Sequence, residues 1–66
     1  MTGTVTGFDD DAGLGTITAD DGATYPFHCT AIADGTRTIA VGTQVRFERQ
    51  ARLGRYEAAA ITPAAA

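Results

Sequence analysis

The chain has one histidine and one cysteine, and they are neighbours, His28 and Cys29. An imidazole can stack on a nucleobase, hydrogen-bond a base edge or ligate a metal. A zinc site needs four ligands. One His beside one Cys in an extended segment point to opposite faces, so Cys29 is expected as a small packing residue. Arg46, Arg49, Arg52 and Arg55 recur at every third position, with Tyr56 beside the last. Guanidinium groups grip phosphates and stack on flat rings; the plain alternative is a solvated hairpin. Asp9-Asp10-Asp11 and Asp20-Asp21 lack the alternating acids and distal glutamate of a calcium loop, and beside glycine they fit turns. There is no serine, so no Ser-His-Asp arrangement exists. A lone histidine among scattered aspartates positions no nucleophile. Neither an enzymatic activity nor a cofactor is expected.

Charge sharpens this. The chain carries eight acidic residues, five arginines and no lysine, for a net charge of −3. Every acid up to Asp34 precedes the first base, Arg37, so residues 1–36 hold −6 and residues 37–66 hold +3. An acidic protein is a poor general ligand for polyanions, but its basic half can still form a local cationic patch. Sixty-six residues make one small domain, expected over 1–66 with 64–66 as a frayed tail. A chain of this size buries only about 60% of its unfolded surface and cannot enclose both a core and a deep pocket. A single cysteine excludes an internal disulfide. No apolar run approaches the ~18 residues of a membrane span, and Met1-Thr2-Gly3-Thr4 lacks the basic and apolar regions of a signal peptide. The expectation is a cytoplasmic protein with no membrane association.

Short β-prone runs separated by glycine and aspartate must position these groups. Thr4-Val5-Thr6, Thr16-Ile17-Thr18, Thr24 to Cys29, Val45 to Arg49 and Tyr56 to Thr62 are the strand candidates. Asp9 to Gly13 and Asp20-Asp21-Gly22 are the turns, the second a strong hairpin signal. Alternation puts Ile17, Tyr25, Phe27, Val45 and Phe47 inward, with Thr16, Thr18, Pro26, His28, Arg46 and Glu48 outward. Pro26 has no N–H to donate and suits a sheet edge. Ala58-Ala59-Ala60 has helical propensity, but Thr62-Pro63 cuts a helix too short to stand alone; a strand with Ala59 and Ile61 inward is favoured. Ala31 to Val41 shows no period and is expected as a long loop with at most one helical turn. Five short strands suggest a small all-β barrel, which protects its sheet edges.

The ordered set Gly3-Thr4-Val5, Phe8, Gly13-x-Gly15-x-Ile17-Thr18, Asp21-Gly22, Phe27-His28-x-x-Ala31-Ile32, Arg37-Thr38, Gly42, Val45-x-Phe47-Glu48 and Ala58-Ala59-x-Ile61-Thr62 resembles the bacterial cold-shock domain. The similarity runs from about residue 3 to residue 63. It implies a five-stranded antiparallel Greek-key barrel of the OB type that binds single-stranded RNA or DNA. Members of the family stack bases on exposed aromatics of strands 2 and 3, framed by lysines. Most of those groups are replaced here. Thr6 and Gly7 stand where the family has a basic residue and a tryptophan, and Ala12 where it has a lysine. Leu14, Thr16, Pro26 and Cys29 take the places of stacking aromatics; His28 alone of that set survives. A base–aromatic stack is worth about 1–3 kcal/mol, so losing about four at the low end removes roughly a thousandfold in affinity. The resemblance therefore implies a single-stranded nucleic-acid-binding module of weakened or altered affinity, with Phe8, Leu14, His28, Arg46, Arg49, Arg52, Arg55 and Tyr56 as the candidate contacts. The alternative is a protein-interaction or self-association module that has abandoned nucleic acid, using the small apolar patch at Leu14, Pro26 and Cys29. The oligomeric state is not legible in the sequence.

Overall fold

The computed structural model describes residues 1–33, 35 and 37–64. Five strands form one antiparallel sheet: β1 Thr2–Asp9, β2 Leu14–Ala19, β3 Thr24–His28, β4 Gln44–Arg52 and β5 Arg55–Pro63. Their spatial order is β3-β2-β1-β4-β5. The first three strands are a meander, and β4 returns to lie beside β1, which is the Greek-key order. The expected all-β, five-stranded barrel-like fold is thus present. Its closure is partial: among the described residues the seam between the end of β3 and β5 carries one parallel bridge, Ile32 with Ile61, and the Ala33 amide donates to Ile61 O at 2.8 Å.

The turns form from the residues expected. The Asp9 carboxylate accepts from the Asp11 and Ala12 amides at 3.0 and 3.3 Å, and the Gly13 amide donates to Asp9 O. At the second turn Asp21 accepts from the Ala23 amide at 2.9 Å, while the Gly22 amide donates to Ala19 O. These side-chain bonds to nearby amides are the local chemistry that makes aspartate a turn residue.

Alternation builds the core. Val5, Ile17, Tyr25, Phe27, Val45, Phe47 and Ile61 are buried, joined by Ala19, Ile32 and Ala58. The Tyr25 and Phe47 rings meet at 5.6 Å and 54°. Phe8 is only partly buried and stacks nearly parallel on Phe27, with centroids 5.9 Å apart. Gly15 makes this stack possible, because a Cβ there would run into the Phe27 ring.

Three expectations change. Ala59 was expected inward, but Ala58 is the buried residue. The register of β4 against β5 shifts between Arg46 and Glu48, and Ala60 adopts φ +51°. This bulge adds one residue to β5, so the inward positions become Ala58 and Ile61. The strand containing Val45 runs on to Arg52 and β5 starts at Arg55, which makes a longer hairpin than the sequence suggested. The helical turn occupies Cys29–Ala31, and Ile32 immediately after it plugs the core. Asp34 and Thr36 of the expected loop lie outside the described residues, as do Ala65 and Ala66 of the expected tail. The Ala64 amide donates to Gln44 O at 2.8 Å.

Candidate nucleic-acid interface

The β4–β5 hairpin divides the candidate surface into two open grooves. Its turn is Leu53-Gly54, with φ of +49° and +82°. Two consecutive positive φ values are what a type I′ hairpin turn requires. Arg52 and Arg55 face each other across that turn. Both are exposed, yet they serve different grooves.

The first groove lies over β1, β2 and β3 and is lined by Phe8, Asp9, Leu14, Thr16, Pro26 and Arg55 among others. Thr16 is the cross-strand partner of both Gly7 and Pro26, and Leu14 of both Asp9 and His28. Directly paired residues share a sheet face. The outward positions at 7, 14, 16, 26 and 28 therefore form one patch, which is small-residued and mildly apolar. Leu14 is 54% exposed. Asp9 contributes a carboxylate to its lining and Arg55 a cation, so this groove has no uniform charge.

The second groove lies between the Cys29–Ala31 turn and the hairpin. His28, Thr30, Gln50, Arg52 and Glu57 supply its polar groups over a floor of alanines. His28 caps the helical turn: its Nδ1 accepts from the Thr30 amide at 3.2 Å. That bond places the proton of the neutral ring on Nε2 and holds the ring in one orientation. Arg52 Nη2 donates to Gln50 Oε1 at 3.3 Å. Arg55 pairs with Glu57 at 3.6 Å, and the arginine side chain is 69% exposed, so the pair stabilises little.

The candidate residues are thus brought together in part. Phe8, Leu14 and Arg55 share the first groove, and His28 and Arg52 share the second. Arg49 lies over the Tyr56 ring at 4.2 Å, a cation–π contact within the hairpin and outside both grooves. Arg46 sits at the other end of β4, between Thr2 and Thr62. Cys29 does not point away from His28 as expected; its Sγ lies 3.8 Å from Nδ1 because the chain leaves the strand at residue 28. Sequence reasoning missed Gln50 and Glu57. Extending the outward series Arg46, Glu48 along the strand would have reached Gln50, and the hairpin sets Glu57 opposite it. Among the described residues, no group of three or more His, Cys, Asp or Glu is placed to hold a metal ion. No helix among them is long and apolar enough to cross a membrane.

Two comparisons bear on this surface. A family model described as the 'Cold-shock' DNA-binding domain matches residues 1–64. No curated protein matches the chain.

Proposed function

The chain belongs to the cold-shock domain family, which binds single-stranded nucleic acid, and we propose that it does so weakly and by a phosphate-led mode. The observation that supports this is the outward patch of β1–β3. Leu14, Thr16 and Pro26 offer no aromatic ring to a base, whereas at the hairpin tip Arg52 lines one groove and Arg55 the other. Binding of this kind draws its strength from counterion release and falls steeply with salt. His28 adds a single ring with a fixed Nε2–H donor, suited to a base edge. A cytoplasmic setting, where single strands are abundant, belongs to the same proposal.

The test is a titration of labelled mixed-sequence single strands at low and moderate salt, repeated with Arg52→Ala and Arg55→Ala. Each arginine that meets a phosphate contributes about 0.7 to the slope of log affinity against log salt. A slope reduced by about that amount per variant supports the proposal. Absence of binding at low salt overturns it. It would favour association through apolar surface instead, for which the exposure of Leu14 and of Leu53 at the hairpin tip is the motivating observation.

A further inference from the structure

The second groove is not a phosphate cradle. Glu57 lines it, and a carboxylate repels a phosphate oxygen. Arg52 is turned onto the Gln50 side chain. What the groove does offer is a pattern of donors and acceptors on one face of the hairpin. Gln50 and Glu57 are direct cross-strand partners, so their side chains stand side by side. Arg52 occupies Gln50 Oε1, which leaves the Gln50 amide nitrogen as the available donor. Glu57 presents acceptors only, and its Oε2 is shared with Arg55 Nη2 at 3.6 Å across an exposed, weak pair that an incoming base donor competes with. The rest of the lining is Ala31, Ala33 and Ala58 to Ala60, small residues that leave room for a flat ring.

A donor beside a carboxylate matches one base edge better than the others. Guanine presents O6 as acceptor, then N1–H and the N2 amino group as two adjacent donors. The carboxylate can take both donors while the Gln50 amide meets O6. Adenine presents one donor beside one acceptor and cytosine one donor beside two acceptors, so each makes a smaller set of bonds here. Uracil and thymine flank their single N–H with two carbonyl oxygens, which set a lone pair against the carboxylate. We propose that this groove is a guanine-preferring base subsite, with Glu57 and Gln50 as the specificity-determining residues and the His28 ring at its mouth. The proposal rests on the nucleic-acid-binding reading above and adds to it a base preference.

The experiment compares three short oligonucleotides at fixed salt: oligothymidine, the same strand with one central guanine, and the same strand with hypoxanthine at that place. Hypoxanthine keeps O6 and N1–H but lacks the N2 amino group. The expected order is guanine tightest, hypoxanthine intermediate and thymine weakest, with guanine preferred over thymine by about tenfold, the size of one charge-assisted hydrogen bond at a partly exposed site. Glu57→Gln should erase most of that preference while leaving oligothymidine binding equal or slightly tighter, because a negative charge is removed. Its melting temperature serves as the control for folding. Equal binding of all three strands by the folded wild type overturns the subsite and leaves the phosphate-led reading standing. A guanine preference that survives Glu57→Gln overturns the assignment to this groove. Failure of every strand to bind overturns the reading on which it rests, and this proposal with it.

Discussion

Restoring rings to the β1–β3 patch should restore affinity, and the gain can be worked from the structure. Thr16 stands between Gly7 and Pro26 on the outward face. A Cβ built at Gly7 meets nothing within 4 Å, so there is open space beside Thr16 for a phenyl ring. Leu14 already projects, and exchanging it for phenylalanine adds a flat face without burying anything new. The double variant Leu14→Phe, Thr16→Phe supplies two stacking platforms. At the low end of about 1 kcal/mol per stack, binding should tighten by roughly thirtyfold. The assay is fluorescence anisotropy with mixed single strands at several salt concentrations, alongside a thermal melt. A second signature comes free of further mutation: stacking adds no charge, so the salt slope should stay at its wild-type value while the whole line moves toward tighter binding. A double variant that melts like the wild type and binds no better would refute the proposal that the chain binds weakly for want of exposed rings. A steeper slope would refute the stacking interpretation even if affinity rose.

Two further outcomes concern the scaffold. Leu53 holds φ +49° while fully exposed at the hairpin tip, and a left-handed conformation costs a leucine about 1–2 kcal/mol. Leu53→Asn keeps the turn and relieves part of that strain, so the melting temperature followed by circular dichroism should rise by about 4–8 °C; no rise would mean the turn bears no strain. Gly15→Ala sets a methyl against the Phe27 ring and near Gly7 O. It should lower the denaturant midpoint by an amount equivalent to about 1–3 kcal/mol, the usual cost of overpacking, and an unchanged midpoint would show that Phe8 and Phe27 slide aside freely.

The fold was legible wherever local chemistry and period agreed. Alternation located Ile17, Tyr25, Phe27, Val45 and Phe47, and the aspartate–glycine clusters marked turns that the backbone forms with the expected bonds. Legibility failed where an element depends on its neighbour. The Ala60 bulge exists only because β5 must match β4 past Arg46, so no period within β5 reveals that Ala58 replaces Ala59 in the core. Ile32 sits in a segment without period because it is delivered by a helical turn rather than a strand. The same limit applies to the surface. Even spacing made all four arginines candidates, yet Arg52 and Arg55, paired across the turn, line different grooves, and Arg49 lies over the Tyr56 ring. Gln50 and Glu57 carry no motif; they matter only as cross-strand neighbours.

Among the described residues, one bridge, Ile32 with Ile61, joins the seam between the end of β3 and β5 like a zip with one tooth. The ladders of β1 with β2 and of β4 with β5 carry many backbone bonds, whereas, among the described residues, this seam is held by few backbone bonds and by the buried Ile32 and Ile61 side chains. Regions held so sparsely exchange their amides through local opening, at a free energy well below that of global unfolding. The guanine slot straddles that seam, with His28 and Thr30 on one side and the hairpin on the other. A base seated there becomes a clasp. By mass action it would stabilise the closed seam in proportion to its own affinity, so occupancy of a shallow surface groove would be felt as rigidity where, among the described residues, the barrel is joined by one bridge.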